Sequence, residues 1–162
     1  MVSGKSWQEK LGGLFRVFSD GKQNALEILS RHYVEESQQS RRIAYHADRM
    51  QYPHFRDKLR AISADEDKHA KWLEENIRAL DGTPPVVPEI SYSDKNSWES
   101  LLADLEEHRQ CAAELLMQIS QLREDFPRAA DTLQRIYDEG ARHREEIRAM
   151  LMRSDPQAHM AG

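Results

Sequence analysis

The stretch from Phe55 to Leu80, FRDKLRAISADEDKHAKWLEENIRAL, decides the fold class of this chain. Its apolar residues recur at steps of three and four, the pattern of a helix that buries one face: Phe55, Leu59, Ile62, Leu73, Ile77 and Leu80. Continued through the gap in this series, the same stripe falls on Glu66 and His69. The sequence therefore predicts a core-facing helix that carries a carboxylate and an imidazole on its buried side.

Glu66 and His69 need partners if they are buried. A buried polar group without a hydrogen bond costs roughly 2–7 kcal/mol, and an unpaired charge costs more. The Glu-x-x-His spacing places both side chains on one helix face, where a carboxylate oxygen and a ring nitrogen can reach a single ion. This pair is therefore the first candidate for a metal site.

Three other stretches have the same helical period, and each has a polar member in its stripe. These predicted helices and their polar members are 23–51 with Glu36, 98–124 with His108, and 128–152 with His143. Similar lengths of helix separate Glu36 and Glu66 from the turn at Tyr52-Pro53, which gives them nearly equal heights on antiparallel helices. His108 and His143 are related in the same way across the turn at Pro127. The four helices should therefore present candidate ligands at one level of one core.

The connections complete a prediction of an all-α four-helix bundle. Residues 83–97 contain three prolines and exceed the roughly 2–8 residues of an ordinary helix hairpin, so we expect this connection to cross the bundle, with Ser97 as the N-cap of the third helix. Ser19-Asp20-Gly21 is predicted to end a short amphipathic N-terminal helix, which would pack across the bundle or against a second subunit of a homo-oligomer, a dimer in the simplest case. The alternative is that this helix contacts a membrane surface or docks to a partner, although its polar face carries few Lys and Arg residues for a surface anchor. The predicted organisation is thus an N-terminal segment 1–22, a bundle 23–153 and a mobile tail 154–162.

Composition excludes several classes of protein. The 162 residues suit one domain, and 23 basic against 28 acidic residues, interspersed along the helices, lack the basic face of a nucleic-acid binder. Cys111 is the single cysteine, which excludes an intrachain disulfide and a cysteine-based metal knuckle. No stretch approaches the roughly 18 apolar residues of a membrane span, and the first residues do not resemble a signal peptide. We therefore expect a cytoplasmic protein without a membrane span.

Two segments resemble the ferritin-like superfamily, most closely its rubrerythrin-type di-iron carboxylate branch. They are ESQQSR at 36–41 and DEDKHAK at 65–71, and the resemblance extends over residues 24–152. The family pattern is Glu on helix one, Glu-x-x-His on helix two, Glu on helix three and Glu-x-x-His on helix four, with a long connection between helices two and three. The resemblance implies a ferritin-like bundle with an iron centre, di-iron in the family, that reacts with peroxide or oxygen. Manganese or zinc are alternatives because Glu and His suit all three metals. Without rubredoxin-like Cys-x-x-Cys pairs, the implied electron donor is external.

The second half of the chain departs from this pattern. Three residues before His143 stands Gly140, where the family has Glu, and the nearest acid is Glu139. The stripe position on helix three is His108, preceded by Glu107. A π-bulge near Gly140 would rotate Glu139 into the core. A similar one-residue shift on helix three would place Glu107 at the ligand position in place of His108. The contrary interpretation is that Gly140 leaves an open coordination position for water, peroxide or oxygen.

Seven residues are the candidate metal ligands: Glu36, Glu66, His69, Glu107, His108, Glu139 and His143. The structural alternative is a hydrogen-bonded network of the same acids and imidazoles without an ion. Three functions stay open: peroxidase or oxidase chemistry at a di-iron or related centre, iron binding for storage or sequestration, and a non-catalytic bundle whose degenerate site holds one ion or none.

Overall fold

Four helices form a bundle in the computed structural model, which describes residues 7–93 and 95–155, with side chains from Ser19 onward. The helices are α1 Trp7–Arg49, α2 Pro53–Ala79, α3 Ser97–Leu122 and α4 Pro127–Leu151. No strand occurs in these ranges. Helix α1 packs along α2 and α3 along α4, and the two hairpins close on each other through α2 with α4 and α1 with α3. The predicted all-α four-helix bundle is confirmed.

Local sequence explains where the helices begin. Pro53 and Pro127 stand in the first turns of α2 and α4, where the fixed φ of proline suits the helix and its missing N–H is not needed. Asn96 caps α3: its side chain accepts from the Glu99 N–H, and the Glu99 carboxylate accepts from the Asn96 N–H. The prediction of Ser97 as N-cap is therefore wrong by one residue, because the reciprocal capping box forms from Asn96.

Helix α1 continues through the break predicted at 19–21, and that prediction is wrong. A glycine inside a helix costs only about 1 kcal/mol relative to alanine, which tertiary contacts can offset. Gly21 lies against the Phe126 ring, and Lys22 Nζ lies 2.9 Å from Asp81 Oδ2 at the end of α2. These contacts hold this part of α1 in the bundle. The side chains of the predicted amphipathic helix up to residue 18 lie outside the described residues.

The predicted mobile tail also lies outside the described residues from position 156 onward. Its first residue, Ser154, is buried and donates its hydroxyl to the Met150 carbonyl at 2.9 Å. The Asp155 N–H donates to the Tyr52 hydroxyl at 3.3 Å. The chain therefore stays in contact with the bundle as far as Asp155, four residues beyond the end of α4.

Two apolar clusters occupy the two halves of the bundle, and every helix contributes to both. The first includes Leu29, Leu73, Leu115 and Leu133, one from each helix in chain order. The second includes Ile43, Leu59, Leu101 and Ile147, again one from each helix. In sequence, the buried polar residues that break the four stripes lie between these two sets on every helix. The fold therefore places a polar layer between two apolar clusters.

Residues 80–96 connect the two hairpins by running along α1. Gln38 Nε2 donates to the Pro88 carbonyl at 3.3 Å, and the Tyr92 ring stacks on Tyr45 with centroids 4.3 Å apart. Because later residues of the connection meet later residues of α1, this segment crosses the bundle from end to end, as predicted. Within the described ranges, no helix has the length and apolar character required to traverse a bilayer.

Candidate metal centre

Glu66 lies at the centre of the polar layer. Its Oε1 is 2.9 Å from His108 Nε2 and 2.8 Å from His143 Nδ1, and its Oε2 is 3.2 Å from His69 Nδ1. Glu36 Oε2 lies 3.1 Å from the same His69 nitrogen. All five residues are buried, none more than 5% exposed. The structure thus brings together one or two polar side chains from each helix at one level, as the stripes predicted.

These side chains form two groups of three potential ligand atoms. One group is Glu36, Glu66 and His69, the other is Glu66, His108 and His143, and within each group the ligand atoms lie within 4.8 Å of one another. Glu66 belongs to both groups and directs a different oxygen to each, which is how a carboxylate bridges two ions. Carboxylate oxygens and imidazole nitrogens are ligands that iron, manganese and zinc accept. The donor set therefore fits a pair of such ions.

Each of the three imidazoles is held at its other ring nitrogen. The pairs are His108 Nδ1 with the Asp104 carbonyl at 2.8 Å, His143 Nε2 with Asp65 Oδ2 at 3.1 Å, and His69 Nε2 with Glu139 Oε2 at 2.9 Å. Metal-ligating histidines commonly donate this second N–H to a carbonyl or a carboxylate, which fixes the ring and its tautomer. The inner nitrogens therefore point toward the two groups in fixed orientations.

Lys68 connects two of these outer partners. Its Nζ lies 2.7 Å from Asp65 Oδ1 and 2.8 Å from Glu139 Oε2. We call Asp65, Lys68 and Glu139 the Lys68 bridge. Hydrogen bonds to Asp65 and Glu139 raise the pKa of Lys68. Burial acts to raise the pKa of each carboxyl group, but hydrogen bonds from Lys68 and from a histidine lower both pKa values below normal. The bridge is therefore an ammonium held between two ionised carboxylates.

Protons balance charge inside the polar layer. Burial, and next the charge of Glu66, raise the pKa of Glu36 well above normal. Burial would also raise the pKa of Glu66, but hydrogen bonds with Glu36 and three histidines hold it well below normal. Burial disfavours the charged form of His69, yet hydrogen bonds to Glu36 and Glu66 raise its pKa to about 10. Burial likewise disfavours the charged form of His108, but its hydrogen bond to Glu66 raises the pKa of this histidine. In the metal-free layer these shifts favour an ionised Glu66 and protonated Glu36, His69 and His108.

Glu107 is placed outside both groups, although it was a candidate ligand. Its carboxylate accepts from Arg42 on α1, and about a third of its side chain is exposed, 32%. Helix α3 is α-helical throughout, so the slip that would present Glu107 does not occur. In a regular helix Glu107 and His108 are about 100° apart, and it is His108 that faces the core.

Glu139 approaches the site without the π-bulge that the sequence suggested, since α4 is also a regular α-helix. Its side chain is 17% exposed and contacts His69 across the α2–α4 interface. Glu139 therefore reaches the outer nitrogen of a histidine and belongs to neither group of three ligand atoms.

A small cavity adjoins the two groups. Its volume is about 20 Å³, and its lining includes Glu36, Glu66, His69, His108, Cys111, Ala112, Gly140 and Arg144. A single water requires about 10–15 Å³ by this measure, so the cavity accepts a molecule of one or two heavy atoms. Burial, and next the charge of Glu35, raise the pKa of the Cys111 thiol to about 12, so this cysteine is a neutral part of the cavity wall.

Of the residues that hold the outer histidine nitrogens, sequence reasoning named only Glu139, and as a metal ligand. Asp65 and Lys68 lie inside the quoted stretch, beside Glu66 and His69, but off the apolar stripe, so they read as solvent-exposed. Asp104 precedes His108 by one turn and is buried beside His46, whose Nδ1 lies 2.9 Å from its carboxylate. Asp104 holds His108 through its main-chain carbonyl, which any residue type would supply, so the sequence carries no signal for this contact.

Comparison with known proteins identifies the family. The ferritin-like domain family matches residues 23–154. The chain belongs to the ferritin-like family. No curated protein sequence matches it significantly.

Solved structures support the ferritin-like fold. The bacterioferritin of Desulfovibrio desulfuricans, which has a diiron site, aligns with TM-score 0.76 and 19% identity over 83% of this chain and 82% of that chain. The dodecameric thioferritin of Bacteroides fragilis aligns with a TM-score of 0.75 and 14% sequence identity, over 81% of this chain and 86% of that chain. A ferritin-like diiron-carboxylate protein of Bacillus anthracis aligns with a TM-score of 0.74 and 18% sequence identity, over 81% of this chain and 97% of that chain. At these identities the similarity shows the fold, and the rubrerythrin-type assignment stays a prediction.

Proposed function

We propose that this ferritin-like protein binds two iron ions in its polar layer and uses them to react with peroxide or oxygen. The observation that carries the proposal is Glu66, whose two oxygens face two separate groups of ligand atoms. A lone structural ion would need only one such group. The ligand set that supports this proposal is Glu36, Glu66, His69, His108 and His143.

The charges around the layer offset three of the four positive charges of two ferrous ions. Two ferrous ions bring four positive charges, whereas Glu36 and Glu66 supply two negative charges. Asp65 and Glu139 add two more through the outer nitrogens of His143 and His69, and Lys68 offsets one of them. Iron binding would release the protons on Glu36 and His69, because ligands must be deprotonated to coordinate.

The protein would position iron and control what reaches it. Iron would supply the redox chemistry. Glu66 would bridge the two ions, while the apolar clusters on either side exclude bulk water from the layer. The cavity beside Gly140 has room for a molecule of the size of peroxide or oxygen. This agrees with the interpretation that Gly140 leaves space where the family has a glutamate.

Anaerobic titration with ferrous iron tests the binding step. We expect saturation at two equivalents per chain, and loss of at least one equivalent in Glu66→Ala. Glu107→Gln is the matched control, since that carboxylate lies outside both groups, and it should bind as the wild type does. Saturation at one equivalent or none would contradict the proposed pair of ions and favour the hydrogen-bonded network.

Peroxide consumption tests the chemistry. Iron-loaded, reduced wild-type protein should consume hydrogen peroxide much faster than Glu66→Ala, with Glu107→Gln resembling the wild type. Equal rates in wild type and Glu66→Ala would overturn the catalytic proposal even if iron binds.

Iron storage is the second candidate, favoured by the structural similarity to a dodecameric thioferritin. Storage requires a closed assembly that encloses a mineral, whereas the leading proposal takes the protein to be a homodimer in the cytoplasm that receives electrons from an external donor. Sedimentation velocity distinguishes them: a dimer supports the leading proposal, and a particle of about a dozen chains supports storage.

A further inference from the structure

The Lys68 bridge joins α2 and α4 directly outside the candidate metal site. Asp65 uses separate oxygens for its two contacts, Oδ1 to Lys68 at 2.7 Å and Oδ2 to His143 at 3.1 Å. Glu139 uses one oxygen, Oε2, for both Lys68 at 2.8 Å and His69 at 2.9 Å. A single ammonium therefore holds the outer partners of two histidines on two different helices.

The two carboxylates of the bridge are themselves groups that bind divalent metal ions. Each is within hydrogen-bond distance of a histidine that faces an ion position, and Glu139 stands one residue before Gly140, which lines the cavity. A dication in the layer would attract both carboxylates. Lys68 opposes that movement, because leaving the ammonium breaks a charge-assisted hydrogen bond.

We propose that Lys68 determines the ligand set of the centre, by holding Asp65 and Glu139 as hydrogen-bond partners of His143 and His69 and away from the metal. Lys68 is thus a positioning residue, and this inference rests on the proposed function. This role accounts for the cavity beside Gly140 although Glu139 lies one residue away. The Lys68 ammonium holds the Glu139 carboxylate at the outer nitrogen of His69.

Lys71 provides a matched control on the same helix. Its Nζ lies 2.7 Å from Asp67 Oδ2, and its side chain is 68% exposed, compared with 41% for Lys68. The partner of Lys71 is Asp67, which belongs to neither group of ligand atoms. Lys71→Met therefore removes the same charge, three residues along, without releasing a carboxylate beside a site histidine.

Cobalt(II) is the probe, because the intensity of its visible absorption falls as its coordination number rises. Titrations compare wild type, Lys68→Arg, Lys68→Met, Lys71→Met and the double variants Lys68→Met/Glu139→Gln and Lys68→Met/Asp65→Asn. We expect Lys68→Met to give weaker absorption per bound cobalt and at least one double variant to restore the wild-type spectrum. Lys68→Arg and Lys71→Met should resemble the wild type.

Two results would overturn the inference: a Lys68→Met spectrum identical to that of the wild type, or an altered spectrum that neither double variant restores. Circular dichroism and thermal unfolding of each variant show whether the bundle is intact. A wild-type protein that binds no cobalt and no iron would refute the proposed function itself, which separates that failure from failure of the role of Lys68.

Discussion

Glu36 and Glu66 are two carboxyl groups in one buried layer whose pKa values move in opposite directions. Burial and the neighbouring charge raise the pKa of Glu36, whereas hydrogen bonds from Glu36 and three imidazoles lower the pKa of Glu66 against the effect of burial. Both residues could be predicted from the sequence, since each interrupts an apolar stripe. Their unequal protonation could not, because it depends on which residues of the other three helices lie around each carboxylate.

Replacing Glu66 by leucine should destabilise the metal-free protein by about 3–5 kcal/mol, since it leaves buried histidines without their charged partner. Urea unfolding followed by circular dichroism measures the free energy of unfolding. Glu107→Gln weakens a partly exposed ion pair with Arg42 and should cost less than about 1 kcal/mol. Equal stability of Glu66→Leu and wild type would show that the layer does not depend on this carboxylate.

Stability of the metal-free protein should fall as pH rises from about 6.5 to about 10. His69 has a folded-state pKa of about 10 against 6.5 for the free side chain, so its contribution is complete below 6.5 and lost as pH rises through 10. The raised pKa values of Glu36 and His108 act in the same direction. Urea unfolding at pH 6.5 and pH 9.5 checks this, with His69→Gln as the variant in which the decline should be smaller. A wild-type stability that rises over this range would contradict the charge assignment.

For the helices, the sequence predicts their positions along the chain more accurately than it predicts which residues of different helices touch. Proline placement and stripe periodicity gave α2, α3 and α4 to within one or two residues. The break at Gly21 was wrong because the sequence does not show that Phe126 and Asp81 lie beside this turn of α1. The π-bulge was wrong because Glu139 reaches His69 across the helix interface from a regular helix.

Two glycines, Gly82 after α2 and Gly21 within α1, should respond oppositely to alanine. A Cβ at Gly82 would lie 2.5 Å from Leu26 Cδ2 and 3.0 Å from Ile77, so Gly82→Ala should destabilise the protein by about 1–3 kcal/mol. A Cβ at Gly21 would lie 3.7 Å from Phe126, an ordinary contact, so Gly21→Ala should stabilise by about 0.5–1 kcal/mol. Thermal unfolding of both variants provides the measurement. Destabilisation by Gly21→Ala would mean that α1 does not continue through this position.

At the scale of the whole molecule, the polar layer separates two apolar clusters that each draw on all four helices. Four interrupted stripes were enough to predict that this layer exists and which inner residues form it. The choice between Glu107 and His108, and the role of Glu139, required the structure, because neighbouring helical residues differ by about 100° and a stripe alone does not exclude a local slip. Asp65 and Lys68 could not be recognised, since their function depends on a residue of α4.

Metal binding should stabilise the whole bundle, because the layer draws ligands from every helix. Ferrous iron at about 100 times its dissociation constant should add about 2.7 kcal/mol for each occupied site, or about 5.4 kcal/mol for two, which corresponds to an increase of about 10–20 °C in Tm for a chain of this size. Anaerobic thermal unfolding with and without iron measures the shift, and chelation should reverse it. In Glu66→Ala the shift should largely disappear; a full shift in that variant would place the ions elsewhere.

Anomalous diffraction at the iron edge, from crystals grown anaerobically with ferrous iron, shows directly whether two ions bind on either side of Glu66. We expect two iron peaks, one near Glu36 and His69 and one near His108 and His143, with a separate oxygen of Glu66 directed at each. A single peak, no peak, or peaks that Glu66 does not contact would contradict it.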